Sequence, residues 1–182
     1  FEDFRSQTNK QMQVMVDEIN SYAQAFAGLN AKIVAGTSGT VGKPNDLLDQ
    51  RDALITKIAE KINVSAVNQQ DGSISLFIGS GQPLVLGAGT YKLALADSST
   101  DPTHKDILVD GQPITRHISG GELSGALKFR DEVLDPAQQQ LGLLAAGLAV
   151  EFNAVHQAGF DLNAANGNAV FVFGASALDV PV

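Results

Sequence analysis

Seven residues near the start of the chain constrain its fold more than anything else in it. Met12, Met15, Ile19, Tyr22, Phe26, Leu29 and Ile33 follow one another at alternating steps of three and four. Such a heptad seam describes a long amphipathic helix whose apolar stripe must be covered by other helices. The stripe predicts one helix over residues 3–35, roughly 50 Å long at about 1.5 Å per residue. A second run has nearly the same spacing: Leu123, Leu127, Arg130, Leu134, Ala137, Leu141, Leu144 and Leu148. It predicts a long return helix from Glu122 to about Ala158, with Gly159 as its stop.

Between these helices lie a shorter helix and a stretch of different period. Asn45 is a good N-cap, followed by Asp46 and Asp49 near the positive end of the helix dipole. The helix is expected to run to about Asn63, with Leu48, Arg51, Ile55, Ile58 and Ile62 on its buried side. From Val64 the alternation becomes two. Asp71-Gly72 and Asp110-Gly111 are hairpin turns between strand-like runs. Strands are expected at Ile74 to Ile78, Pro83 to Leu86, Tyr91 to Ala96, Ile107 to Val109 and Pro113 to Ile118. The predicted class is therefore α+β: a bundle of long coiled-coil-like helices with an inserted small antiparallel β-module. Residues 1–63 and 119–160 form the expected helical core, 64–118 the β-module, and 161–182 a tail or the start of a further segment. Such a β-module is small for a core of its own and should lean on the helices. Asp135-Pro136 interrupts the return helix, but Leu134, Ala137 and Leu141 keep phase across it. A kinked, nearly continuous helix is expected there.

Composition removes several classes of function. Twelve Lys and Arg against 20 Asp and Glu give a net charge of -8, which disfavours nucleic acid and anionic membranes. From Ser119 onward only Lys128 and Arg130 are basic, against seven acids. The absence of cysteine excludes disulfides, zinc thiolates and cysteine nucleophiles. No run of about 18 apolar residues predicts a membrane span. The chain starts at Phe1 and ends in the apolar stretch Ala177 to Val182, so it is expected to be the middle of a longer polypeptide.

Motifs for chemistry are missing or incomplete. The glycine-rich stretch from Gly36 to Pro44 has Thr37 where a phosphate loop needs its first glycine, and Pro44 where it needs Ser or Thr. A flexible connector between two helices is the better account. Asp161-Leu162-Asn163-Ala164-Ala165-Asn166-Gly167 resembles a calcium loop only at its start, because Asn166 and Val172 stand where glycine and glutamate belong. His104, His117 and His156 have no metal-ligand spacing to one another. There is no nucleophile-elbow motif, and Asp131-Glu132 reads as a solvated helix face. No catalytic, cofactor-binding or metal residue is therefore assigned.

Two arginines are the exceptions to the pattern. Arg51 and Arg130 occupy seam positions that should be apolar. A buried arginine needs a carboxylate or a cluster of carbonyls, unless its stem covers apolar surface while its head reaches water. Both are expected to fix helix register, as polar seam residues do in coiled coils.

Four segments, taken in order, resemble the flagellar hook-associated protein 1 family. The run Asn45-Asp46-Leu47-Leu48-Asp49-Gln50-Arg51-Asp52 resembles its signature helix. Asp71-Gly72-Ser73 leads into Phe77-Ile78-Gly79-Ser80-Gly81-Gln82-Pro83-Leu84-Val85, similar to its hairpin and glycine–proline turn. Gly120-Gly121-Glu122-Leu123-Ser124-Gly125-Ala126-Leu127-Lys128-Phe129-Arg130-Asp131 resembles the start of its return helix. Phe152-Asn153-Ala154-Val155-His156-Gln157-Ala158-Gly159-Phe160-Asp161-Leu162-Asn163 resembles the end. The likeness covers roughly residues 1–173. It implies a non-catalytic structural part of the bacterial flagellum, extracellular, exported unfolded through the flagellar type III pathway. It also implies assembly as a ring at the distal end of the hook, between hook protein and the second hook–filament junction protein. The segments that polymerise, carry the secretion signal and bind the export chaperone would lie outside this chain, leaving a core expected to be monomeric alone. The other readings are a flagellin-like or adhesin-like surface protein, and a flagellum-associated cell-wall hydrolase. The latter would need convergent carboxylates of perturbed pKa in a cleft.

Overall fold

A computed structural model describes residues 1–37 and 45–172. The connector read at Gly36 to Pro44 lies mostly outside the described residues, as does the end of the chain. The heptad stripe folds into helix α1, Glu2–Thr37, with Glu2 and Asp3 in its first turn, where carboxylates favour the dipole. Helix α2, Asn45–Lys61, follows.

The buried face of α1 is wider than one seam. Met12, Ile19, Phe26, Leu29 and Ile33 are buried, and Met15 and Tyr22 are half-buried at the core edge. A second row beside them, Val16, Ala23, Ala27 and Asn30, is also buried. The extra width follows from what α1 supports: α2 on one flank and two small sheets on the other. On α2, Ile58 is buried while Ile55 and Leu48 are half-buried.

The small antiparallel β-module is built from two sheets. Strands β1 (Val64–Asn68), β2 (Ile74–Ile78), β3 (Gln82–Leu86) and β4 (Gly89–Thr90) form an antiparallel sheet in that order. A register shift at Leu76/Phe77 bends β2 against β3. Strands β5 (Leu93–Asp97), β6 (Lys105–Val109) and β7 (Gln112–Pro113) form the other. Asp110 and Gly111 carry φ of 49° and 79°, the double left-handed turn that joins β6 to β7 in step with strand twist. The strand expected from Pro113 to Ile118 stops at Pro113 and becomes a 3-10 turn, Thr115–His117. The Thr115 hydroxyl accepts the Ile107 N–H at 2.9 Å and donates to Asp106 at 2.8 Å. A side chain thus replaces the next rung of the ladder.

Neither sheet has a private core. Leu76, Ile78, Leu84, Leu93, Ile107 and Ile114 join one apolar cluster with Met12 and Phe26 of α1, Ile58 and Ile62 of α2, and Leu123 and Leu127 of the following helix. That helix is α3, Gly121–Lys128. Gly121 has φ +70°, and a Cβ there would stand 2.5 Å from both the Ile62 nitrogen and the Lys61 carbonyl oxygen. Only glycine lets the chain turn so close against the end of α2.

Helical backbone continues without a break: a π-helical stretch at Phe129–Leu134, then helix α4, Asp135–Ala158. Pro136 lies in the first turn of α4, directly after the π-helical stretch, and its missing N–H leaves a carbonyl of that preceding turn without its helical donor. The chain divides into two compact units, Glu2–Lys128 and, with Phe1, the residues from Phe129 onward. The division falls inside the return helix, not at the borders of the β region, because the sheets share the core of the first unit.

In the second unit Leu134 is buried, but Leu141, Leu144 and Leu148 are 54%, 70% and 70% exposed. This departs from the expected seam. Apolar periodicity marks a face that wants a partner, whether or not the unit that carries it supplies one. Beyond α4 the chain is clasped back: Asn153 accepts the N–H groups of Val170 and Phe171 at 2.8 and 3.0 Å and donates to the Phe171 carbonyl at 2.7 Å. Phe171 packs edge-on to Phe152 at 5.5 Å between centroids.

Candidate functional site

The first unit is organised by polar side chains that cross between elements. Asn30 is fully buried. Its Nδ2 donates to the carbonyls of Ile74 and Gly87, both at 2.8 Å, and its Oδ1 accepts the Ile74 N–H at 3.1 Å. Asn20 treats the other sheet alike: Nδ2 donates to the Leu93 carbonyl and Oδ1 accepts the Leu93 N–H, each at 2.8 Å. Each amide imitates a neighbouring strand, so α1 latches one sheet at each of two points. Sequence reasoning missed both. The available signal was their place beside the seam, in the row that holds Val16, Ala23 and Ala27.

Arg51 is 7% exposed, and its Nη1 donates to the Gly72 carbonyl at 2.9 Å. It ties α2 to the β1–β2 turn, while its buried Nε has no hydrogen-bond partner among the described residues. Arg130 is 5% exposed and its Nε donates to Asp131 at 2.6 Å within the π-helical stretch. Of the two pairing modes expected, Arg51 takes a carbonyl and Arg130 a carboxylate. At the opposite end of α2, Lys61 bridges Glu122 of α3 at 2.7 Å and Glu18 of α1 at 3.0 Å. The hydrogen bonds it donates to Glu122 and then to Glu18 hold its pKa above the ordinary lysine value.

The remaining perturbed groups are turn staples. Asp71 lies below the usual carboxylate range because it accepts from the Ser73 hydroxyl and N–H at 2.7 and 2.9 Å. Asp101 is lowered chiefly by the Thr103 hydroxyl, which donates at 2.6 Å, and also engages His104. Arg5 Nη1 donates to the Thr103 hydroxyl at 2.8 Å, pinning this loop to the start of α1. The carboxylate of Asp161, first in the calcium-like run, accepts the backbone N–H groups of Asn163 and Ala165, each at 2.8 Å. That is the geometry of a polar turn. His156 Nδ1 donates to the Asn168 carbonyl at 2.8 Å. Each shift therefore has a local structural cause, and these carboxylates serve to hold turns.

The first unit also carries an open groove of about 530 Å³ between α1 and α2. Gly28 and Leu29 line it from one helix and Ala53 and Leu54 from the other, with Lys32 and Lys57 on the rim. The motif of small residue, leucine, then lysine three further on is the same on both sides. Lys57 also lies 5.8 Å from the Tyr22 ring.

A long helix latched to two small sheets, with its polar groups engaged in tethers and turns, defines an α+β structural scaffold. Residues 1–171 match the flagellar hook-associated protein FlgK helical domain, and the chain belongs to that family. It is 36% identical over 183 residues to flagellar hook-associated protein 1 of Escherichia coli, covering 97% of this chain and 34% of that protein. The Salmonella typhimurium protein of the same name is 34% identical over 180 residues, covering 95% and 32%. The structure of the flagellar hook junction protein FlgK from Burkholderia pseudomallei superposes with a TM-score of 0.83 at 37% identity, over 94% of this chain and 32% of that one. The chain thus spans about a third of the length of these relatives. No helix among the described residues is long and apolar enough to cross a membrane.

Proposed function

We propose that this chain is a load-bearing segment of a hook–filament junction protein, working outside the cell as part of the flagellum and without catalysis. The observation that carries this reading is the shared fold: a TM-score of 0.83 at 37% identity to a flagellar hook junction protein. The physical character of the segment agrees. Its longest helix is fixed to the two sheets by the amides of Asn20 and Asn30, and Arg51 ties α2 to the β1–β2 turn, contacts that resist sliding and rotation. In this reading Arg51 and Arg130 set register, and the family's assembly follows: a ring of copies placed between hook protein and the second junction protein. A chain without cysteine suits export in an unfolded state through the flagellar type III pathway, with chaperone-binding segments elsewhere in the polypeptide. The test is deletion of the whole gene. Loss of swimming, intact hooks and filament subunits released into the medium are expected. Normal filaments on the deletion strain would overturn the reading.

A further inference from the structure

Asn166-Gly167 is the only asparagine–glycine step in the chain. Glycine has no Cβ to hold its backbone nitrogen away from the preceding side chain, so this is the step at which a backbone nitrogen most readily reaches an asparagine side-chain carbonyl. The loop that carries it is closed by hydrogen bonds. Gly167 N–H donates to the Gly159 carbonyl at 3.1 Å, and Asn166 pairs with Phe160 in an antiparallel bridge. Asn166 Nδ2 reaches back to the carbonyl of Gln157, in the last turn of α4, at 3.2 Å. At the tip, Asp161 N–H donates to the Ala165 carbonyl at 2.8 Å, and the Asp161 carboxylate takes the N–H groups of Asn163 and Ala165. The imidazole beside Gly167 is committed as well, since His156 Nδ1 donates to the Asn168 carbonyl.

We propose that Asn166 is a site of spontaneous deamidation that the closed loop holds back, and that the reaction, once it occurs, keeps the loop from closing again. The nucleophile is the Gly167 nitrogen, which must lose its proton, and that proton is held by the Gly159 carbonyl. The electrophile is Asn166 Cγ, whose amide is held by the Gln157 carbonyl. Opening of the loop frees both together. The Gly167 nitrogen then bonds to Cγ, ammonia leaves, and water opens the resulting succinimide to aspartate or isoaspartate. Either product spoils the closed arrangement. A carboxylate in place of the amide sets an acceptor against the Gln157 carbonyl, where a donor stood. Isoaspartate also lengthens the main chain by one methylene, which moves Gly167 N–H out of step with Gly159. The loop residues are mostly exposed, so opening is a local event at the low-stability end of the structure and needs no global unfolding. The proposal is independent of the junction role.

The test uses the full-length protein, aged in neutral buffer and sampled by peptide mass spectrometry, with enzymatic methylation of isoaspartate to tell the two products apart. Asn166 in the folded protein should react at least about ten-fold more slowly than in a synthetic peptide of residues 160–170, the factor that a modest local-opening equilibrium imposes. Asp161→Ala removes the staple at the loop tip without touching Asn166 or Gly167, and should bring the rate most of the way to that of the peptide. Asp161→Ala with Asn166→Gln should stay unmodified, which fixes the site. Low urea, below the unfolding transition, should accelerate the wild-type reaction in the same direction. Deamidated protein, separated by its extra negative charge, should lose hydrogen-exchange protection at the Gly167 N–H. A folded-state rate equal to that of the peptide overturns the proposal, and so does a slow rate that neither Asp161→Ala nor low urea changes. Full protection of Gly167 in the deamidated protein overturns the one-way step.

Discussion

Replacing Asn30 by leucine keeps the branched shape and the number of side-chain heavy atoms, in a somewhat larger side chain, and removes every bond that the amide makes. Asn30 is fully buried and makes three hydrogen bonds to the backbone, at 2.8, 2.8 and 3.1 Å. A net worth of about 1 kcal/mol for each bond gives about 3 kcal/mol. Stranding the Ile74 N–H and two carbonyls beneath α1 adds desolvation, for a total of about 3–5 kcal/mol. In a chain of this size each kcal/mol moves the midpoint by roughly 2–4 °C, so Asn30→Leu should melt roughly 6–20 °C lower. Differential scanning calorimetry is the suitable assay, since the chain has no tryptophan for fluorescence. Gln13→Leu, at an exposed position of the same helix, is the control. A loss below about 1 kcal/mol for Asn30→Leu would mean that water replaces the amide freely, and the tether argument would fail.

Four further outcomes are expected. Gly121→Ala must place a Cβ 2.5 Å from the Ile62 nitrogen at φ +70°, a strain of about 1–3 kcal/mol or more; Gly125→Ala, in open helix, should gain about 0.4–1 kcal/mol, and paired chemical denaturation curves compare them. Leu127→Ala should lose about 2–5 kcal/mol, whereas Leu144→Ala should change the isolated chain by less than about 0.5 kcal/mol; equal losses would show that α4 is covered after all. Arg51→Leu should let α2 shift against the β1–β2 turn, read as a changed cross-linking distance between them, and an unchanged distance refutes the register role. The Asp101 carboxylate is lowered in the folded chain, so it contributes stability above the ordinary carboxylate pKa that is lost as pH falls through its folded value. Carbon-detected NMR should find it titrating below 3.8, and Asp101→Asn should flatten the acid limb of the stability profile.

The sequence made α1 legible because a heptad stripe has one structural solution, and the two Asp-Gly turns were legible because their geometry demands those residues. The same logic misplaced Leu141, Leu144 and Leu148, since periodicity reveals a sticky face without revealing whether the cover is present. Asn20 and Asn30 stayed hidden for a related reason. An asparagine in a helix reads as solvent-facing unless the strand that needs its amide is already known. The π-helical stretch had only Asp135-Pro136 nearby to suggest irregularity. The split into two sheets depended on how strands β4 and β5 meet α1, a matter of tertiary packing. Arg51 and Arg130 stood out in the sequence, but their partners, a turn carbonyl and an adjacent carboxylate, were visible only in three dimensions.

The spacing of the two asparagines has a further effect. They stand ten residues apart on α1, one for each sheet. If α1 slid forward by one turn, Gln24 and Val34 would meet the strands; sliding back would bring Val16 and Phe26. Neither alternative offers two amides of the right length. The pair therefore works like a key with two teeth. The helix can be fully engaged in one axial and rotational setting only, and a twisting force must break both latches together before α1 can slip to another.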